Sequence, residues 1–132
     1  LKISYSENGS PNLNNHQYIS VSHSGDLVCI IISDKKIGID IEMISDKSLR
    51  LKEKFINSHH TKLNKEKSTL IWCIKESVYK FHEIGNIDFI KDISVPEFIL
   101  EENGEMNISF KNTTLKSYYF KVGNYYLAYV CK

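Results

Sequence analysis

The 132-residue sequence has no apolar run approaching the ~18 residues that a membrane-spanning helix requires. Its opening stretch, LKISYSENGS, lacks the apolar segment of a secretory leader. No membrane partner is expected, and the expected location is the cytoplasm. Neither sign of charge is in excess. Against 16 Asp+Glu stand 17 Lys+Arg, and a net charge of +1 argues against a nucleic-acid binder. Cysteine is scarce: Cys29, Cys73 and Cys131 include no CxxC pair, which excludes a zinc ribbon. Each sits among apolar neighbours and reads as a small core residue in a reducing compartment. The five His (16, 23, 59, 60, 82) supply no HxxxH ligand pair, and adjacent His59 and His60 point to different faces of a helix or strand. A Gly-rich nucleophile elbow is missing, which argues against a hydrolytic triad.

What is present excludes disorder: 42% of residues are hydrophobic and 25% are charged. The length suits one compact domain, residues 1–132, burying roughly two-thirds of its unfolded surface. The chain starts at Leu1 rather than Met, so a fragment of a longer protein is an open expectation. Alternation predicts strands over 18–22 and 37–42, and the unbroken apolar run 27–32 predicts a strand covered on both faces. Helices are expected over 46–58 and 61–83, the second with a stripe at Leu70, Ile71, Ile74, Val78 and Phe81 and with Gly85-Asn86 ending it. Strands over 97–102 and 105–111 flank Asn103-Gly104, and strands over 117–122 and 125–131 flank Gly123-Asn124. This order predicts an α+β fold, a largely antiparallel sheet with two or three helices packed on it.

Three segments could carry chemistry. In Gly38-Ile39-Asp40-Ile41-Glu42, the two carboxylates lie two residues apart on one strand face, close enough to share a cation, and Gly38 leaves room on that face for a ligand. A hard cation such as Mg²⁺ prefers such oxygens and retains waters and phosphate oxygens. A solvated strand face is the plain alternative. In Trp72-Cys73-Ile74-Lys75-Glu76-Ser77-Val78-Tyr79-Lys80, Glu76 and Lys80 form an i,i+4 pair on an amphipathic helix. Alternatively, Glu76 adds a third carboxylate to the cation site while Lys75 and Lys80 meet phosphate oxygens. In Ser22-His23-Ser24, the side chains either serve the strand or donate hydrogen bonds to a phosphate.

The order SHSGD, IGIDIE, WCIKESVYK resembles the 4′-phosphopantetheinyl transferases of the surfactin-synthetase-activating type. These carry a Ser-His-Ser stretch, a G-I/V-D-I/V-E strand and a W-x-x-K-E-S/A-x-x-K helix at similar spacing, and the likeness covers about residues 5–130. The resemblance implies transfer of the phosphopantetheine arm of coenzyme A to a serine of an acyl or peptidyl carrier protein, with adenosine 3′,5′-bisphosphate released. It implies Asp40, Glu42 and Glu76 as Mg²⁺ ligands. Glu76 would also deprotonate the serine, and Lys80 would stabilise the pyrophosphate or leaving group. Lys75 would assist in phosphate binding, and Ser22 with His23 would contact the nucleotide end of coenzyme A. Carriers of this kind serve fatty-acid, polyketide and peptide synthesis.

Residues 46–67 hold seven basic and three acidic residues, a net +4 that suits an acidic carrier protein. A solvated helix surface reads equally well. Three departures from the family pattern stand out. Ser10 replaces the Lys of a Gly-Lys-Pro stretch. Asn57-Ser58-His59-His60-Thr61 replaces a family Glu. A further upstream half, present in long members, has no counterpart here. A homo-oligomer whose neighbour completes the cleft is therefore expected. A degenerate module that binds coenzyme A or a carrier without catalysis is the alternative, and a metal-dependent nuclease is a third reading.

Overall fold

The computed structural model describes residues 2–7, 9–13, 15, 17–57 and 59–132. Asn64 caps the expected long helix by accepting from Lys67 N at 2.8 Å, and α2 (Lys65–His82) follows. Its stripe of Leu70, Ile71, Ile74, Val78 and Phe81 is buried as expected. Lys67 and Lys75 are buried too, so α2 is enclosed well beyond one face. The helix ends at His82: Glu83 takes the left-handed cap at φ 65°, and Gly85 and Asn86, also at positive φ, lie past the end.

A five-stranded antiparallel sheet receives α2. Its order is β5-β9-β8-β7-β6, where β5 is Ile37–Met43, β6 Ile93–Ser94, β7 Asn103–Phe110, β8 Thr113–Val122 and β9 Tyr125–Cys131. Helix α2 packs across β5 and β9 and against a short α1 (Asp46–Arg50). The helix expected over 46–58 is thus only one turn of α-helix, followed by a 3₁₀ turn at Lys52–Lys54. Neither piece buries a residue fully, and an amphipathic helix without a buried stripe has little to extend it.

The second hairpin turn, Gly123-Asn124, forms as expected. The first does not. Residues 97–102 form no strand, and Asn103-Gly104 lies inside β7 with Gly104 opposite Tyr119. A Cβ on Gly104 would stand 2.8 Å from the Tyr119 hydroxyl, so this glycine makes room for a ring rather than for a turn. The chain reverses at 111–112, where Lys111 has φ 53° and Phe110 pairs with Thr113.

Outside this sheet, β1 (Ile3–Tyr5) pairs with β2 (Pro11–Leu13), and β3 (Tyr18–Ser24) pairs with β4 (Leu27–Ser33). The run 27–32 is covered on one face only. Val28, Ile30 and Ile32 are exposed, while Leu27, Cys29 and Ile31 are half-buried. All three cysteines are free, but Cys73 alone is fully buried. Among the described residues no helix is long and apolar enough to cross a membrane. His16 and Ser58, which figured in the sequence analysis, lie outside the described residues.

Candidate active site

Strand β5 alternates as its sequence requires, and Gly38, Asp40 and Glu42 share the face toward α2. Gly38 is the hinge of this contact. A Cβ there would collide with the carbonyl oxygen of Ser77 and with the nitrogen and Cα of Phe81. The room beside Gly38 is thus taken by the helix, not by a ligand as the sequence suggested. Close approach at Gly38 brings Asp40, two residues along the strand, to Lys80, the residue before Phe81 on the helix. Lys80 Nζ donates to Asp40 Oδ1 at 3.1 Å and to Val21 O at 3.3 Å.

Asp40 is buried, and Ser22 Oγ donates to the same Oδ1 at 2.9 Å. Oδ2 is buried with no hydrogen-bond partner. Burial, then the neighbouring Asp40 and Glu76 carboxylates, push Glu42 up to about 9, and Lys80 draws it back. Burial and then Asp40 push Glu76 up to about 7, again opposed by Lys80. Asp40, Glu42, Glu76 and Lys80 therefore form one electrostatic cluster. Two cavities meet it. The larger, about 350 Å³, is lined by Glu76, Lys80, Tyr79, Ile19, Val21 and Ser10. A smaller one, about 170 Å³, runs from Glu42 past Trp72 and Phe55 to Lys47 and Lys54.

The other candidates sit apart. Lys75 is 2% exposed, and its Nζ donates to Phe55 O at 2.5 Å and Phe89 O at 2.6 Å. Its ammonium is held by two backbone carbonyls and lines neither cavity, a placement at odds with phosphate binding. Burial lowers its pKa to about 8. Ser22 is 3% exposed and beneath Asp40, not in the cavity wall. His23 is exposed on the opposite face of β3, shared with Ile19 and Val21, and lines neither cavity. His59 Nε2 meets Val95 O at 2.9 Å, and His60 Nδ1 and Lys67 Nζ both meet Glu97, so this segment is tied to 95–97 instead of to the carboxylates. Ser20 and Ser24 were missed. Their signal was serine at alternate positions 20, 22 and 24, which puts three hydroxyls on one strand face.

A model of the 4′-phosphopantetheinyl transferase superfamily matches residues 36–130, from the residue before β5 to the next-to-last residue of β9. The chain belongs to the 4′-phosphopantetheinyl transferase superfamily. It is similar to the 4′-phosphopantetheinyl transferase gsp of Aneurinibacillus migulanus, at 28% identity over 113 residues. That match covers 80% of this chain and 46% of the relative, so the chain spans about half the relative's length. The superfamily match takes in all four residues of the cluster.

A hard cation is the group such a site implies. Among the described residues no three His, Cys, Asp or Glu side chains are gathered closely enough to hold a metal ion as they stand. The donor chemistry nevertheless fits one. Asp40 Oδ2 lacks a partner, and two further carboxyls, Glu42 and Glu76, are pushed upward by burial and by the charge of Asp40, which a cation would offset. Mg²⁺ in particular takes one or two protein carboxylates and fills its other positions with water and phosphate oxygens.

Proposed function

We propose that the chain transfers the 4′-phosphopantetheine arm of coenzyme A to a serine of an acyl or peptidyl carrier protein with Mg²⁺ bound, releasing adenosine 3′,5′-bisphosphate. One observation carries this reading: Asp40, Glu42, Glu76 and Lys80 converge where β5 faces α2, with Glu76 and Lys80 on one cavity and Glu42 on another. In the transfer, the serine Oγ bonds to the phosphorus carrying the arm. The bond from that phosphorus to the bridging pyrophosphate oxygen breaks, and the electron pair leaves on adenosine 3′,5′-bisphosphate.

Glu76, in the wall of the larger cavity beside Lys80, is placed to accept the serine proton. Lys80, half-exposed toward the larger cavity, offsets charge on the leaving oxygen. Asp40, Glu42 and Glu76 would hold Mg²⁺, which when bound supplies Lewis-acid charge to the pyrophosphate. Support for His23 at the nucleotide end is its exposure on the β3 face it shares with Ile19 and Val21, two residues of the larger cavity's wall. Support for carrier docking near residues 46–67 is the smaller cavity, where Lys47 and Lys54 border the apolar Leu51, Phe55 and Trp72.

Intact-mass measurement of apo-carrier proteins incubated with the chain, coenzyme A and Mg²⁺ tests the reading. The expected result is a mass gain of one arm, abolished by Glu76→Gln. No gain on any carrier of a broad panel overturns it. The binding-module alternative has one observation in its favour, Ser10 in the wall of the larger cavity where the family often has Lys. Calorimetry showing coenzyme A binding without turnover would select it.

The reading takes residues 1–132 as a single domain acting in the cytoplasm, for which three free thiols count. It also includes assembly of more than one copy. Its support is the apolar row on β4, with Val28 67%, Ile30 55% and Ile32 44% exposed. Light scattering that returns a monomer mass, unchanged by Ile30→Asp, removes the assembly.

A further inference from the structure

Strand β3 joins β5 through hydroxyl groups. Ile39 N donates to Ser20 Oγ at 2.9 Å, Ile41 N to Ser22 Oγ at 3.2 Å and Met43 N to Ser24 Oγ at 3.3 Å. Partners advance by two on both strands, so β3 runs parallel to β5 and three serine side chains stand in for a backbone ladder. Each satisfies an N–H that would otherwise be left without a partner. Ser22 differs from its two neighbours in one respect. Its single hydroxyl proton is donated to Asp40 Oδ1 at 2.9 Å while its oxygen accepts from Ile41 N. Both bonds are buried, which fixes the rotor in one orientation.

The consequence falls on Asp40. Oδ1 accepts from Ser22 and from Lys80, whereas Oδ2 accepts from nothing. The two oxygens of one carboxylate are thereby given different tasks. We infer that Ser22 is a positioning residue: it locks the Asp40 carboxylate so that Oδ2, rather than Oδ1, is presented to a divalent cation. This rests on the proposed reading of Asp40 as a cation ligand. It replaces a phosphate contact for Ser22, whose hydroxyl has no proton left to give. Ser24 marks the difference between ladder and site, because it makes the same backbone bond with no carboxylate attached.

Mn²⁺ binding, followed by the electron paramagnetic resonance of the free ion without coenzyme A, tests the inference on the whole chain. Ser22→Ala should weaken Mn²⁺ binding about tenfold, as loss of a ligand-orienting partner does. Ser22→Thr, which keeps the hydroxyl, should restore most of it, and Ser24→Ala should bind as the parent does. Coenzyme A affinity measured in EDTA should be the same for Ser22→Ala and the parent. Circular dichroism melts identify variants that fail to fold, and Ser22→Thr keeps the comparison available if Ser22→Ala is one of them.

Unchanged Mn²⁺ affinity in Ser22→Ala, beside a loss in Asp40→Asn, overturns the inference and leaves the function standing. So does weakened coenzyme A binding in EDTA with Mn²⁺ binding intact, which would make Ser22 a nucleotide contact. Equal Mn²⁺ binding by the parent and Asp40→Asn, or none by the parent, overturns the cation reading itself.

Discussion

Gly38→Ala is the smallest change that should separate the strand from the helix. A methyl group at this position points at the middle of α2, where the nearest atoms are the Ser77 carbonyl oxygen and the Phe81 nitrogen and Cα. Phe81 Cα would stand 2.9 Å away, where ordinary contact begins at 3.4 Å. All three atoms belong to the helix backbone, so no side chain can swing aside and α2 itself must retreat. Overpacking a rigid contact of this kind costs about 3 kcal/mol. For a chain of this size that corresponds to a melting temperature lower by about 10 °C.

The functional effect should exceed the stability effect. Helix α2 carries Glu76 and Lys80, and the Lys80–Asp40 bond of 3.1 Å spans the interface being wedged open. Misplacement by about an ångström can cost about a hundredfold in rate. Transfer measured well below the melting transition should therefore fall at least tenfold, by a rate effect that survives saturation with coenzyme A. Thermal melts and intact-mass time courses on the same preparations provide the check. A Gly38→Ala protein that melts within a degree or two of the parent and transfers at the parental rate refutes the close approach, and with it the account of how the site is assembled.

Glu76→Gln should raise the melting temperature of metal-free protein at pH 8, with the gain vanishing toward pH 4.5. A carboxyl raised from 4.5 to about 7 penalises the fold fully above the folded value and not at all well below the unfolded one, so the cost of ionising Glu76 is present at pH 8 and nearly gone by pH 4.5. A gain of equal size at both pH values defeats the argument. Lys75→Met should destabilise by about 2 kcal/mol by orphaning the Phe55 and Phe89 carbonyls, yet leave coenzyme A affinity within about twofold. A large loss of affinity in a variant of normal stability would return Lys75 to phosphate binding. Glu97→Gln should lower stability at pH 7 by loosening the 59–61 segment and Lys67 from the 95–97 stretch, an effect that fades in acid as the parent carboxyl protonates, and pH-dependent melts would show it. An effect unchanged between pH 7 and acid would refute it.

The contrast between Lys80 and Lys75 shows what the sequence could convey about this site. Asp40 with Glu42, and Glu76 with Lys80, sit at the intervals that put side chains on one face of a strand and of a helix, so their pairing was legible. Periodicity assigns a face but does not say what the face meets. Lys75 neighbours Glu76 in the motif, but α2 is enclosed on nearly every side, and its position looks onto Phe55 and Phe89 instead of onto the cavity. The same limit applied to β4, whose unbroken apolar run is written alike for a strand covered twice and for one with Val28, Ile30 and Ile32 left bare. Turn chemistry misled at Asn103-Gly104 because a glycine that spares room for the Tyr119 ring is indistinguishable, in one sequence, from a glycine that permits a turn. Ser22 adds a further case. Alternate serines at 20, 22 and 24 mark a shared strand face, and only the bond to Asp40 sets one of the three apart from the others.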